Sequence, residues 1–210
     1  LGKELAKEAD IKADLVVPVP DSGVPASLGY AEESGKQFEL GLIRNHYVGR
    51  TFIEPTQNIR SLGVKLKLSS TKTIVKNKSI ILIDDSLVRG TTCHKIVKML
   101  YEAGAKEIHV RIACPEIKFP DFYGVDMPTK KELLAHEKSL DEMSNYIKAK
   151  SLKFLSINGL YKALTGSIRN SNYPQFSDHY FTGDYPIKPY DNLHGYKVKQ
   201  LSLLSGKSNN

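Results

Sequence analysis

The feature that most constrains the fold of this chain is an apolar run that ends in two adjacent carboxylates. Residues 80–83 are Ile, Ile, Leu and Ile, a composition that predicts a strand buried on both faces of a parallel sheet. Asp84 and Asp85 follow directly, at the carboxyl end of the strand, where open parallel sheets bind their ligands. The run therefore predicts an α/β fold with a ligand site beside the two carboxylates.

The loop after the carboxylates has the composition of a phosphate-binding site. Gly90 permits backbone angles that other residues avoid, and Thr91 and Thr92 open a helix-like stretch. The first turn of a helix presents unpaired N–H groups and the positive end of the helix dipole, which favour an anion. Carboxylates beside an anion site suit sugar hydroxyls or a Mg²⁺ ion. Taken alone, the Asp-Asp pair is explained equally well as a helix cap beside a solvated charge.

The order of segments predicts the architecture around this loop. Strand-like and helix-like stretches alternate, which indicates βαβ units in a parallel sheet with helices on both faces. We expect one domain over residues 1–166 and an extended arm over residues 167–210 that is disordered at its end. Residues 38–43 are predicted to form one short strand. From residue 44 to about 72 the chain is basic and lacks periodicity, which is typical of a long functional or mobile loop.

The composition excludes several classes of protein. The 210 residues are 40% hydrophobic and 25% charged, as in ordinary soluble proteins, and no apolar run is long enough to span a membrane. The net charge of +7 comes from dispersed lysines without interleaved aromatic residues, so we expect no nucleic-acid partner. Cys93 and Cys114 have neither a disulfide framework nor a metal-binding spacing, so we expect both to be packing residues. Since no signal peptide is visible either, we expect a cytoplasmic protein.

A second candidate site follows an earlier predicted strand. Asp21, Ser22 and Gly23 form a tight turn just before a helix that begins at Pro25 and is ended by Gly35. The backbone amides of such a turn and the Ser22 hydroxyl suit a pyrophosphate group. In isolation these residues are better explained as a helix cap. Beside the Asp-Asp loop, they become the second half of a site for a diphosphorylated sugar.

The long basic segment contains a third group of candidates. Arg44, Tyr47 and Arg50 lie within it, and arginines and a tyrosine on a loop can close over a pyrophosphate and neutralise its charge. Closure also excludes water from a reactive sugar cation. A solvated basic loop explains the composition equally well. The aromatic residues between positions 114 and 126 are more simply explained as a plug for the sheet edge than as the floor of a site.

Four stretches of the chain together resemble a known family of enzymes. They are residues 19–23 (Val-Pro-Asp-Ser-Gly), 44–53 (Arg-Asn-His-Tyr-Val-Gly-Arg-Thr-Phe-Ile), 84–92 (Asp-Asp-Ser-Leu-Val-Arg-Gly-Thr-Thr) and 122–126 (Phe-Tyr-Gly-Val-Asp). The Asp-Asp loop resembles that of the type I phosphoribosyltransferases. The stretch from Tyr47 onward narrows the resemblance to the glutamine phosphoribosylpyrophosphate amidotransferases, and the resemblance runs from residue 1 to about 186. It implies a synthase domain that displaces Mg²⁺-pyrophosphate from phosphoribosyl pyrophosphate with ammonia, in the committed step of purine synthesis.

The resemblance also implies roles for individual residues. The metal ligands would be Ser22, Asp84 and Asp85. The 5-phosphate of phosphoribosyl pyrophosphate would be bound by the loop that follows, namely Ser86, Leu87, Val88, Arg89, Gly90, Thr91 and Thr92. The turn of Asp21, Ser22 and Gly23 would also bind substrate, and Tyr47 and Arg50 would be catalytic residues of the closing loop. Arg44, where the family often has Lys, and Lys67 would bind phosphate or inhibitory nucleotides.

Two departures from the family pattern limit what the resemblance implies. The family's amino-terminal glutaminase uses a terminal cysteine as nucleophile, whereas this chain starts at Leu1 inside a helix-like stretch. We expect a fragment without its glutaminase domain, dependent on free ammonia. The cysteines that bind an iron–sulfur cluster in some members correspond to Asp121, Ser177 and Tyr180 here, so we expect no such cluster.

The remaining expectations concern partners and alternatives. The resemblance implies a homo-oligomer and purine nucleotides as feedback inhibitors. Two other functions stay open for the same fold: a phosphoribosyltransferase that attaches a nucleobase, and a non-catalytic module that senses nucleotides. The lysine of a Walker A loop is absent, which argues against a nucleoside triphosphatase.

Overall fold

The computed structural model describes residues 1–44, 68–124 and 129–187. The strands are β1 (Leu15–Pro18), β2 (Gln37–Phe38), β3 (Leu42–Arg44), β4 (Leu68–Ser70), β5 (Ser79–Asp84), β6 (Glu107–Ile112) and β7 (Ser151–Phe154). The helices are α1 (Gly2–Ala9), α2 (Val24–Ser34), α3 (Lys72–Val75), α4 (Thr91–Glu102), α5 (Leu134–Glu137), α6 (Leu140–Ile147), α7 (Ile157–Thr165) and α8 (His179–Thr182), with a 3-10 turn at Lys130–Glu132. No helix within these ranges is long and apolar enough to cross a lipid bilayer.

Five of the strands form a parallel sheet in the order β2-β1-β5-β6-β7. The strand predicted from the run of isoleucines is β5, and it lies at the centre of the sheet. Two parallel neighbours, β1 and β6, flank it over most of its length. The predicted parallel α/β fold is therefore confirmed, and a central position explains why residues 80–83 of this strand are all apolar.

Each face of the central strand packs into its own core. Ile80 and Leu82 face a cluster that includes Ile96 of α4 and Met143 of α6. The intervening Ile81 and Ile83 face a second cluster, which includes residues of α1 and α2. All four strand side chains are completely buried, and burial of such a side chain contributes about 1.5–3 kcal/mol to stability. Helices on both faces are thus the reason that β5 carries no polar alternation.

The predicted strand over residues 38–43 was wrong, because the chain turns sharply within it. Gln37–Phe38 pairs with β1, whereas Leu42–Arg44 pairs with β4 in a separate antiparallel sheet. Gly41 lies between the two strands, and a Cβ there would be only 2.9 Å from a methyl group of Val75 and 3.1 Å from Val17. The close approach of these side chains places the turn at a glycine.

The long segment without periodicity is also shorter than predicted. Leu68–Ser70 forms β4, and Lys72–Val75 forms α3. The pairing of β3 with β4 is antiparallel and joins residues far apart in sequence, so periodicity within either short stretch does not reveal it. Residues 45–67, including the predicted Tyr47, Arg50 and Lys67, lie outside the described residues.

The carboxyl-terminal segment, described here over residues 167–187, packs against the rest of the domain. It contains the helical turn α8, and Asp178 and His179 are buried. Asp178 accepts a hydrogen bond from the Tyr161 hydroxyl of α7 at 2.8 Å and pairs with Arg169 at 2.6 Å. The division at residue 166 stays a prediction, since these contacts describe packing and not independent folding.

Candidate active site

The two predicted phosphate loops lie side by side at the carboxyl edge of the sheet. The strands that precede them, β1 and β5, are neighbours. The Val19 N–H donates a hydrogen bond of 2.8 Å to the Ile83 carbonyl oxygen. Gly23 packs so closely that a Cβ there would be 2.5 Å from the same oxygen, which explains why only glycine fits this turn. The turn at residues 21–23 therefore adjoins Asp84.

The paired carboxylates lie at the end of β5 and are held by backbone N–H groups. Asp84 Oδ1 accepts a hydrogen bond of 2.9 Å from the Asp85 N–H, and Asp85 Oδ1 accepts one of 2.8 Å from the Ser86 N–H. Burial raises the pKa of Asp84 well above its ordinary value, and the neighbouring Asp85 raises it further. A cation at this position would stabilise the ionised carboxylates.

The phosphate loop ends at Gly90, which precedes the first residue of α4. Gly90 has a φ of 72° and provides no side-chain cap for the helix, and the first helical hydrogen bond runs from the His94 N–H to the Gly90 carbonyl at 2.9 Å. The N–H groups of Thr91 and Thr92 come before that bond and have no partner within the helix. The start of a 12-residue helix thus offers donors and a positive dipole end to an anion.

The outer side of this loop contacts residues 130–137, which we call the brace segment. The Leu134 N–H donates to the Val88 carbonyl at 2.8 Å, and Arg89 Nε donates to Glu132 Oε2 at 2.7 Å. Leu134 also fills the space beside Gly90, where a Cβ would lie 2.6 Å from Leu134 Cδ2. Sequence patterns did not single out these residues, because only the tertiary fold brings them to the loop.

Arg44, a predicted phosphate-binding residue, contacts the turn at residues 21–23. It ends β3, and its Nη1 donates to Asp21 Oδ2. Its Nε is buried and has no hydrogen-bond partner among the described residues. The peptide bond between Pro20 and Asp21 is cis. The ion pair places a guanidinium beside the turn, and among the described residues the Nε donor of this guanidinium is unused.

Both cysteines lie close to the carboxylates and are not reactive. Cys93 is 3% exposed within the core, and burial raises its pKa, with a smaller contribution from the charge of Asp84. Burial also raises the pKa of Cys114 to about 12, with smaller contributions from Asp85 and Asp84. Thiols of this kind stay protonated near neutral pH, which agrees with the prediction that both are packing residues.

A cleft of about 320 Å³ opens at the carboxyl ends of β6 and β7. It is lined by Pro115, Glu116, Lys118, Leu140, Lys153, Phe154, Leu155, Ser156, Ile157, Phe181 and Thr182. The nearby aromatic residues pack on the carboxyl-terminal segment: the ring centroids of Phe122 and Tyr185 are 5.4 Å apart, and those of Tyr123 and His179 are 5.1 Å apart. Together with the described part of the carboxyl-terminal segment, these aromatic residues therefore cover the sheet at the carboxyl ends of β6 and β7.

Asp121, Ser177 and Tyr180, which the family resemblance matches to cluster-binding cysteines, lie in this covered region. Asp121 Oδ1 and His179 Nε2 are 2.7 Å apart, and both side chains are completely buried. Ser177 Oγ lies 3.4 Å from the other nitrogen of the same histidine, and the Tyr180 carbonyl accepts two backbone hydrogen bonds. No group of three His, Cys, Asp or Glu side chains in the described ranges is arranged to hold a metal. The expectation that no iron–sulfur cluster binds here stays a prediction.

The fold and the edge of its sheet define a class of protein, and comparison with known families identifies it. A family model for the phosphoribosyl transferase domain matches residues 1–148. The chain therefore belongs to the phosphoribosyltransferase family, as the Asp-Asp loop predicted.

Within this family the chain is similar to amidophosphoribosyltransferases. It is 57% identical over 206 residues to the amidophosphoribosyltransferase of Rhizobium etli, a match that covers 98% of this chain and 42% of that protein. It is 51% identical over 197 residues to the enzyme of the same name from Staphylococcus aureus, covering 94% of this chain and 40% of that protein. The predicted resemblance is confirmed, and the chain spans about two fifths of the length of these relatives.

Solved structures agree with the sequence comparison. The glutamine phosphoribosylpyrophosphate amidotransferase from B. subtilis, complexed with ADP and GMP, matches with a TM-score of 0.80 at 48% identity, covering 91% of this chain and 42% of that chain. A structure described as the allosteric regulatory enzyme of purine biosynthesis matches with a TM-score of 0.80 at 49% identity, covering 91% of this chain and 41% of that chain. Both confirm the predicted type I phosphoribosyltransferase fold.

Proposed function

We propose that this chain catalyses the amidophosphoribosyltransferase reaction, the committed step of purine synthesis. In it, ammonia displaces pyrophosphate from phosphoribosyl pyrophosphate and 5-phosphoribosylamine is formed. The observation that carries the proposal is the juxtaposition of the turn at residues 21–23 with the loop at residues 84–92. The names of the relatives support the choice of this reaction over other phosphoribosyl transfers.

In this proposal each phosphorylated end of the substrate occupies one loop. The 5-phosphate binds the start of α4 and the loop before it, formed by Ser86, Leu87, Val88, Arg89, Gly90, Thr91 and Thr92. The pyrophosphate binds the turn of Asp21, Ser22 and Gly23. The carboxylates of Asp84 and Asp85 accept hydrogen bonds from the ribose hydroxyls, a role that carboxylate oxygens at the end of β5 can fill.

Mg²⁺ is the metal that suits the donors at this edge. Ser22, Asp84 and Asp85 supply hydroxyl and carboxylate oxygens, which are the ligands that Mg²⁺ prefers. The raised pKa of Asp84 supports this assignment, because burial beside a second carboxylate creates a need for positive charge. When bound, Mg²⁺ supplies charge compensation for the pyrophosphate group.

The bond changes in the proposed reaction are simple. The ammonia nitrogen forms a bond to C1 of the ribose while the bond from C1 to the pyrophosphate oxygen breaks, and the electron pair leaves with pyrophosphate. The new nitrogen centre then loses one proton to solvent. The protein contributes positioning and electrostatics: backbone N–H groups of the turn and of α4 hold the phosphoryl oxygens on either side of C1. No acid–base pair is needed.

Four predicted residues act from the strand β3 and the chain that follows it. Tyr47 and Arg50 close over the pyrophosphate and exclude water. Arg44 and Lys67 bind phosphate groups of the substrate or of inhibitory nucleotides. The B. subtilis structure contains ADP and GMP, which supports purine nucleotides as feedback inhibitors here.

The proposed enzyme has further parts beyond this chain. A glutaminase would supply ammonia from glutamine, and the greater length of the relatives supports such a part. The enzyme would form a homo-oligomer in the cytoplasm and would bind no iron–sulfur cluster. Aspartate, serine and tyrosine at positions 121, 177 and 180 support the last point, since none is a thiolate.

The deciding experiment measures pyrophosphate release from phosphoribosyl pyrophosphate and Mg²⁺, with ammonium or glutamine as nitrogen donor. The proposal predicts release with ammonium, none with glutamine, and loss of release when Mg²⁺ is chelated. Release that needs a purine or pyrimidine base instead would identify a nucleobase phosphoribosyltransferase. A ligand-dependent rise in melting temperature without turnover would identify a sensing module.

A further inference from the structure

The brace segment, residues 130–137, is well anchored beside the predicted phosphate loop. Leu133 is completely buried, and Leu134 and Ala135 are each 7% exposed. The helix α6 that follows begins with a reciprocal capping box, in which Ser139 and Glu142 bond each other's backbone N–H groups. The segment is therefore anchored in the core on one side and by a capped helix on the other.

Three consecutive residues of the phosphate loop contact this surface. The carbonyl of Val88 accepts the Leu134 N–H at 2.8 Å, and the Arg89 side chain donates to Glu132 at 2.7 Å. At Gly90, a Cβ would meet Leu134 at 2.6 Å and the Tyr146 ring at 3.1 Å. Val88 thus contacts this surface through its backbone and Arg89 through its charged side chain. Gly90 can approach the surface closely because it has no Cβ.

These contacts act on the part of the loop that directs the first N–H groups of α4. Gly90 adopts a φ of 72°, and the peptide units on either side of it determine where those N–H groups point. The ion pair with Glu132 balances the charge of Arg89 at the outer side of the loop, where both side chains are about half exposed. The arrangement leaves phosphate recognition to backbone donors and hydroxyl groups.

We propose that Glu132 and Leu134 are positioning residues for phosphate binding. They hold Val88, Arg89 and Gly90 in the conformation that aims the start of α4 at the terminal phosphate of a sugar phosphate, without touching that ligand. The inference deepens the proposed function and rests on it, because that function assigns the 5-phosphate to this loop. It adds a segment that carries none of the motifs by which the site was predicted.

The test measures the binding of ribose 5-phosphate and of inorganic pyrophosphate separately, by titration calorimetry of the full chain with Mg²⁺. Glu132→Ala should weaken ribose 5-phosphate binding about three- to fivefold, the size expected of a half-exposed ion pair. Pyrophosphate binding should not change, because its turn follows β1. Glu132→Gln keeps an oxygen that accepts from Arg89 and should recover most of the affinity. Glu137→Ala removes an equal charge from the same segment and should change neither affinity.

The outcomes separate this inference from the function on which it rests. Wild-type protein that binds neither ligand would overturn both. Wild-type protein that binds both ligands, with Glu132→Ala unchanged, tighter or equally weakened for the two ligands, would overturn the positioning role alone. Leu134→Ala provides a second test, in which ribose 5-phosphate binding should weaken and pyrophosphate binding should not change. If that variant does not fold, by circular dichroism, the Glu132 series decides.

Discussion

Two regions of this molecule shift the pKa of a buried carboxyl group in opposite directions. At the carboxyl edge of the sheet, burial and then the adjacent Asp85 raise the pKa of Asp84. In the carboxyl-terminal segment, burial alone would raise the pKa of Asp178, but hydrogen bonds led by those from Arg169 and Tyr161 outweigh it and lower the pKa. One carboxylate is therefore destabilised in its charged form and the other is stabilised.

The difference separates the proposed binding site from a structural contact. Arg169 bonds both oxygens of Asp178, at 2.6 and 3.2 Å, and also pairs with Asp184 at 2.5 Å. Charges that are already paired within the fold hold a segment in place and have little to offer a ligand. Asp84 and Asp85 instead place like charges together, which is tolerated where a ligand or cation supplies the missing partner.

The largest effect should come from breaking the structural pair. Asp178→Asn leaves Arg169, only 10% exposed, without its main carboxylate, and should destabilise the fold by about 3 kcal/mol. Urea unfolding followed by circular dichroism measures this loss. Ribose 5-phosphate affinity, measured under conditions where the variant is folded, should stay at the wild-type value. A selective loss of that affinity would mean that the comparison between the two regions is mistaken.

The binding region should show the opposite response. Asp85→Asn should lower steady-state pyrophosphate release about 100-fold, since it removes a charge that the substrate and metal require, while the melting temperature changes little. Asp141→Asn, an exposed carboxylate in the first turn of α6, is the matched control and should retain full activity. Unchanged release with Asp85→Asn would remove this residue from the site.

A pair of glycines sharpens the comparison between strain and packing. Gly35 and Gly90 have φ values of 67° and 72°, but a Cβ would meet nothing within 4 Å at Gly35 and would collide with Leu134 at Gly90. Gly35→Ala should cost about 1 kcal/mol from the backbone alone, and Gly90→Ala about 2 kcal/mol because crowding is added. Thermal unfolding gives both values. Equal losses of unfolding free energy at the two positions would show that the brace segment moves away from the added Cβ at no energetic cost.

The smallest expected effect is a pH-dependent gain in the melting temperature of Asp84→Asn. A raised folded-state pKa means that Asp84 costs stability once the pH exceeds the unfolded value of 3.8, as the unfolded chain ionises first. Asp84→Asn should therefore melt higher than wild type at neutral pH without ligand, by about 2–4 °C for each kcal/mol gained, and the gain should vanish near pH 3.

The loss in Asp178→Asn should shrink at lower pH still, below the unfolded value of 3.8, because the pKa of this carboxyl is shifted in the opposite direction. The lowered folded-state pKa of Asp178 stabilises the protein above the unfolded value, and this contribution disappears on acidification. Melting curves of both variants and of wild type between about pH 2 and pH 7 test the two signs together. Parallel curves for the three proteins would contradict the assignment of either carboxylate.

Much of this architecture was predictable because the signals are local. The apolar run of β5 predicts a buried central strand, and Pro25 and Gly35 at the ends of α2 predict a helix that the structure confirms. The pairing of β3 with β4 was not predictable, since three-residue strands have too little periodicity to read and their partners are distant in sequence.

The candidate site also has features that local sequence predicts and features that it does not. The chain by itself determined which residues are candidates for binding phosphate and metal, because carboxylates, glycine and threonine directly after a buried strand have a chemistry that depends on local order. Tertiary structure alone decided that the turn at residues 21–23 adjoins Asp84, that Arg44 pairs with Asp21, and that Glu132 and Leu134 support the phosphate loop. Contacts between distant segments depend on how strands are ordered and helices packed, and a linear pattern of residue types carries little record of that arrangement.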